Sequence, residues 1–246
     1  WSLSDDSGDY VCAINLPTDG ISALHKAGLI PDPYWGRNEY DLRWIAERDW
    51  FATRTFTLTD TGVDLVLSGV DTIVEVVVNG QTVLQCDNAF RVFRVNLSDV
   101  AQVGENAISL TFKNSIAHAA TLQDAQPFYL PYQEGNNPIP NVNLLRKPQC
   151  DYGWDWNIAL APFGIYGTLA IEPARAPRLD YLTVDQFHDD ACVALTINLG
   201  LSNYNGPVSA IIDGKTVTAE AVQGHCELSV AIQNPQIWWP AGQGDQ

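Results

Sequence analysis

Residues 54–85 read "RTFTLTDTGVDLVLSGVDTIVEVVVNGQTVLQ". Short apolar runs rich in Val, Leu and Thr alternate with polar residues, which is the period of half-buried strands and not of helices. Asn79-Gly80 sits between two Val-rich runs. A two-residue hairpin turn needs positive φ at both central positions, and Asn followed by Gly is the pair that tolerates it. The stretch therefore predicts antiparallel strands joined by a type I′ turn.

Working outward, the same punctuation continues. "FRVFRVNL" (90–97) and "NAISLTFKN" (106–114) alternate again, and "GIYGTLAIEP" (164–173) reads as one closing strand. Helical periodicity is almost absent. After the proline-containing "ARAPRLD" (174–180) a second β-pattern begins, with "YLTVDQF", "ACVALTINLGLSN", "VSAIIDGKTVTAEAV" and "CELSVAIQ", and with Asp213-Gly214 as another hairpin signal. The expectation is an all-β chain of two sandwiches. Residues 1–175 form a jelly roll, and residues 176–246 an immunoglobulin-like sandwich that reads as incomplete after four or five strands. Residues 115–152 form a long irregular insert rich in Pro, Asn, Gln and aromatics. A loop of that length in a compact domain points to function.

Composition narrows the classes. The chain has 29 Asp and Glu against 13 Lys and Arg, a net charge of −16. A nucleic-acid binder needs a basic face to displace counterions, so that class is excluded. No apolar run reaches the roughly 20 residues that span a bilayer. The N-terminus has no basic start and no apolar signal core, and five widely spaced cysteines suit free thiols in a reducing compartment, so the expected location is cytoplasmic. Cys192 and Cys226 are the one pair whose apolar stretches could face one another. The sequence begins at Trp1 and has no Met, which points to processing, truncation or omitted residues.

Residues 150–157, "CDYGWDWN", place Asp155 between Trp154 and Trp156. A pyranose offers an apolar face that stacks on indole, and hydroxyls that carboxylates read through charge-assisted hydrogen bonds. On an extended segment the two indoles would point to one face and the carboxylate to the other. The competing reading is packing: an Asp that caps a turn or pairs with Arg146 or Lys147, with both tryptophans in the core. Residues 28–56 read as a strap over the sandwich, anchored by Trp35, Trp44 and Trp50, with carboxylates that satisfy backbone and Arg groups. Glycoside hydrolysis needs two carboxyl groups across the scissile bond. Glu39, Asp41, Glu47, Glu75, Glu134, Asp151 and Asp155 are available, but no spacing fixes a pair. The histidines are isolated, so neither a metal site nor a cofactor is predicted, and no catalytic residue is assigned.

The strings "AGLIPDPYWGRNEYDLRWIAERDWFATRTF" (27–56), "LVLSGVDTIVEVVVNG" (65–80), "CDNAFRVFRVNL" (86–97), "RKPQCDYGWDW" (146–156) and "WWPAGQG" (238–244) resemble the N-terminal half of the β-mannosidases of glycoside hydrolase family 2. The resemblance implies a galactose-binding-like jelly roll, an immunoglobulin-like domain, and then a TIM barrel that this chain lacks. It implies a retaining mechanism whose two glutamates belong to that barrel, so that the present chain alone is inactive. It makes Asp155 a ligand of the terminal mannose in a β-mannoside or manno-oligosaccharide. Trp154 and Trp156 become flanking or lining residues, and Asn88 a candidate for the pocket rim. Arg146 and Lys147 match a basic pair with a structural role. The alternatives are another enzyme of the family, a β-galactosidase or β-glucuronidase, and a stand-alone carbohydrate-binding sandwich. This sequence departs from the pattern at Asn157-Ile158, where Gly-Pro is usual, and at "GIYGTLAIE" (164–172), where "GIWR" is usual.

Overall fold

The computed structural model describes all residues except 134, 136, 155, 156, 190, 245 and 246. The chain divides into two compact units, Trp1–Ala174 and Arg175–Gln246.

The first unit contains strands β1 (Ser2–Asp5), β2 (Val11–Ala13), β3 (Thr18–Asp19), β4 (Trp50–Leu58), β5 (Val63–Ser68) and β6 (Val70–Asp71). It continues with β7 (Val74–Val78), β8 (Gln81–Cys86), β9 (Val92–Asn96), β10 (Gly104–Phe112), β11 (Gly164–Ile165) and β12 (Leu169–Pro173). One antiparallel sheet runs β2-β1-β4-β10-β7-β8. Two smaller sheets run β12-β5-β9 and β3-β11-β6. Strand period 2 decides what faces inward: Val74, Val76 and Val78 of β7 are buried while Glu75 and Val77 between them are only half-buried. These valines join Leu110 and Phe112 of β10 and Leu65 and Leu67 of β5 in one apolar core. Trp50 stacks on Phe163 at 5.2 Å, and its indole nitrogen donates to the Ile45 carbonyl at 2.9 Å. The predicted turn is present: Asn79 and Gly80 have φ of 49° and 81°, and Val78 pairs with Gln81.

Three expectations need correction. First, residues 164–173 read as one strand, yet they break and change sheets, as residues 63–71 also do. Gly69 has a φ of 62°, and it packs directly against Gly167. A Cβ on Gly69 would lie 2.7 Å from the Gly167 nitrogen, and one on Gly167 would lie 2.4 Å from Ser68 Oγ. Two side-chain-free residues let both chains turn at the same level. Second, helices are present. α1 (Gly20–Lys26) is capped by Asp19, and α2 (Asn38–Asp41) lies in the strap. α3 (Ser115–Asp124) opens the insert and is capped by Asn114, whose side chain accepts from the Ala117 amide. A side-chain oxygen that meets an orphan amide of the first turn starts a helix even without a strong apolar stripe. Third, of the three strap tryptophans Trp50 is buried and Trp44 packs beside it, but Trp35 is 76% exposed.

The second unit has β13 (Arg178–His188), β14 (Cys192–Ser202), β15 (Gly206–Ile212), β16 (Lys215–Ala221) and β17 (His225–Gln233). They form sheets β13-β14-β17 and β15-β16 around a small core of Ile197, Leu199, Ala221, Cys226 and Leu228. Asp213 and Gly214 form the expected turn, with φ of 49° and 69°. Cys192 pairs with Gln233 and Cys226 with Leu199, so these thiols do not face one another. Both units are antiparallel β, as the sequence pattern predicts. Among the described residues, no helix is long and apolar enough to cross a membrane.

Candidate functional site

The insert builds its own platform. Ala119 of α3, Ile139, Val142, Leu145, Tyr152, Ala159 and Ala161 form a second apolar cluster with Ala46 of the strap. From this platform the loop bearing "GWDW" departs and returns. Its stem closes where Tyr152 bridges Ala159 in antiparallel fashion, and the Asp151 carbonyl accepts from the amides of Leu160 and Ala161.

A buried charge cluster ties this stem to the sandwich. Lys147 Nζ lies 2.9 Å from Asp71 Oδ2 on β6 and 3.2 Å from Asp151 Oδ2 on the stem, and it donates to the Pro162 carbonyl at 2.6 Å. Both Lys147 and Asp71 are buried. Thr72 adds a hydroxyl donor to Asp71. Burial holds the Asp71 carboxyl above the usual carboxylate range, against the opposing pull of Lys147. The Tyr152 hydroxyl is raised for the same reason, with the Asp71 and Asp151 charges adding to it, so this group stays a neutral phenol. It is buried without a hydrogen-bond partner among the described residues.

The strap holds the returning limb. Tyr34 donates its hydroxyl to Asn157 Oδ1 at 2.7 Å, and Glu39 Oε2 accepts from the Ala159 amide at 3.0 Å. Beside these contacts lies a cleft of about 340 Å³ whose walls include Asp19, His25, Asp32, Tyr34, Asp151 and Tyr166. Carboxylates and phenols around an open cleft suit a neutral polyol, whose hydroxyls donate to carboxylate oxygens.

The residues expected to form the site fall as follows. Asp155 and Trp156 lie outside the described residues. Trp154 is 39% exposed and has a left-handed φ of 68°, so the extended alternation argued from sequence does not run through it. Asn88 turns its own loop by accepting from the Phe90 amide at 2.9 Å. Its backbone bridges Arg146, beside Lys147, but neither Asn88 nor Trp154 lines the cleft. Of the other carboxylates weighed, Glu39 satisfies a backbone amide, as the strap reading expects, and Asp151 is paired with Lys147. Sequence reasoning missed the grouping of Tyr34 and Glu39 with the loop. The only signal was that both lie in the "IPDPYWGRNEY" string, 123 and 120 residues from their partners.

Geometry and topology define an antiparallel β-sandwich of the galactose-binding-like kind, with an aromatic, carboxylate-bearing loop pinned to it at both limbs. Residues 1–167 match the family described as glycosyl hydrolase 2 galactose-binding domain-like, and the chain belongs to that family. Similar curated proteins include a β-mannosidase of Mus musculus, 29% identical, and a probable β-mannosidase of Caenorhabditis elegans, 30% identical. Each alignment covers 100% of this chain but only 31% and 30% of the relative, so the chain spans about a third of their length. Among solved structures, a β-D-mannosidase of Dictyoglomus thermophilum superposes with a TM-score of 0.81 at 22% identity, over 100% of this chain and 32% of that one. An exo-chitosanase of Amycolatopsis orientalis gives 0.62 at 15% identity, over 99% and 30%. At these identities the solved structures speak for the fold.

Proposed function

We propose that this chain is the N-terminal, non-catalytic part of an exo-acting retaining β-mannosidase, which removes terminal non-reducing β-D-mannose from β-mannosides or manno-oligosaccharides. The observation that carries this reading is that the mouse β-mannosidase and the nematode protein named a probable β-mannosidase align along the whole chain. On this reading residues 1–175 are the jelly-roll domain and residues 176–246 belong to an immunoglobulin-like domain. The acid/base and nucleophile are two glutamates of a TIM barrel beyond these residues. Retaining hydrolysis needs carboxyl groups about 5–5.5 Å apart on either side of the bond. The loop's Asp151 pairs with Lys147, and Glu39 accepts from the Ala159 amide, structural tasks that fit the assignment of the catalytic pair to the barrel.

Asp155 then serves as a substrate contact, with Trp154 and Trp156 as its flanking indoles and Asn88 at the rim. A reducing, cytoplasmic-type compartment fits five cysteines that stay free thiols.

The test is the complete protein assayed against aryl β-mannoside, β-galactoside, β-glucuronide and β-glucosaminide side by side. The mannoside is expected to be preferred in kcat/KM by at least roughly tenfold, the low end of the discrimination that pocket contacts provide. Preference for another glycoside would move the chain to a different branch of the family. Residues 1–246 alone are expected to give no turnover, and measurable hydrolysis by them would overturn the placement of the catalytic glutamates.

A further inference from the structure

We propose that the second unit is an open docking surface for a strand of the same chain from beyond residue 246, which pairs along the free edge of β15 and closes over Leu179, Leu182 and Val184 of β13. The inference rests on the function proposed above only in that the protein continues past these residues.

Cross-strand register shows which way β13 faces. Leu182 pairs with Leu199 and Val184 with Ile197, and these pair in turn with Cys226 and Leu228 of β17. Residues directly opposite one another project from the same face of a sheet. A bulge between Leu179 and Tyr181 brings Leu179, opposite Leu201, onto that face as well. Ile197, Leu199, Cys226 and Leu228 are buried beneath the β15-β16 hairpin, whose Val208, Ala210 and Val217 pack against them. On the same face Leu179, Leu182 and Val184 are 52%, 53% and 44% exposed. The cover stops short of β13.

The gap has a definite place. β16 lies alongside β17, so β15 is the strand of the hairpin nearer β13. Between β15 and the start of β13 runs an open groove of about 350 Å³, with Leu179, Leu201, Tyr204 and Val208 in its walls. A strand added to the outer edge of β13 would only extend the lower sheet. A strand beside β15 would lie over the exposed row.

The edge of β15 is suited to receive one. Among the described residues β15 pairs only with β16. The two-residue turn makes Ile212 and Lys215 a hydrogen-bonded pair, so the amides of Ala210 and Ile212 point to β16 and those of Ser209 and Ile211 to the free edge. Edges that stay open are ordinarily guarded by charge, a bulge or proline. Gly206–Ile212 carries no charged side chain, and its Pro207 stands at the very start. The occupant follows from chain length. This chain covers 31% and 30% of the mouse and nematode relatives, and a strand tethered to the same chain is spared the cost of bringing two molecules together.

The experiment is amide hydrogen exchange and thermal melting of the full-length protein. The Ser209 and Ile211 amides are expected to exchange at least roughly a hundredfold more slowly than amides of an open loop. Ser209→Pro removes an edge donor and is expected to lower the melting midpoint by roughly 5 °C or more, because proline is tolerated only where no neighbour pairs. Ser209→Ala loses only the hydroxyl contact to Thr218 at 2.8 Å and should stay near wild type. Loop-like exchange at Ser209 and Ile211, or a Ser209→Pro variant that melts like wild type, would overturn the proposal. So would protection that vanishes on dilution together with a dimer in sedimentation, which would give the edge to a second copy. Preference for a glycoside other than mannoside contradicts the function proposed above and leaves these measurements untouched.

Discussion

Lys147 is 3% exposed, and its ammonium lies between the carboxylates of Asp71 and Asp151 with the Pro162 carbonyl as a third acceptor. Removing one member of a buried ion network strands the others, and the cost exceeds what the pair itself contributes. Lys147→Met keeps the length of the side chain but leaves two carboxylates without a cation. We expect it to destabilise the first unit by about 3–5 kcal/mol, read as a clear drop in melting temperature. A variant that melts like wild type would show that the cluster is not the pin between loop and sandwich. At this scale the sequence was partly legible. The resemblance marked Lys147 as structural, but its partner Asp71 lies 76 residues earlier (147 − 71) and no local pattern links them. Glu39 stood among seven carboxylates with nothing to single it out, because its partner is a backbone amide, which has no sequence signature. Asp155 and Trp156 come from the sequence reading alone.

At the level of elements, alternation and turn dipeptides located the strands well. Asn79-Gly80 and Asp213-Gly214 took the positive φ that their chemistry allows. What alternation hides is a change of sheet within one apolar run. Residues 63–71 look continuous, yet β5 and β6 belong to different sheets, because the break depends on Gly69 meeting Gly167 about 100 residues later. Gly69→Ala combines a left-handed φ with a Cβ placed 2.7 Å from the Gly167 nitrogen. It should cost about 1–3 kcal/mol and lower the thermal midpoint, while a neutral result would mean that the two chains can part there at no expense. The helix α3 escaped notice for a different reason. Its apolar face is short and weak: Ala119 is buried, and only Ile116 and Leu122 join it against the platform. The signal that could have found it is the Asn114-Ser115 cap before an alanine-rich run.

On the scale of the whole molecule, fold class and family were legible because both rest on long patterns spread over the chain. The first unit supplies a large core, a separate platform for the insert and two ties to the loop, one from Lys147 and one from the strap. On the proposed reading this unit positions the sugar, and the chemistry belongs to a barrel outside these residues. That reading assigns Asp155 as a substrate ligand and not as a catalytic group. The direct measurement is kcat and KM of Asp155→Ala in the complete protein on an aryl β-mannoside. Deleting a positioning hydrogen bond that acts in both the ground and the transition state predicts at least roughly a tenfold fall in kcat/KM with residual turnover. Kinetics equal to wild type would contradict the account.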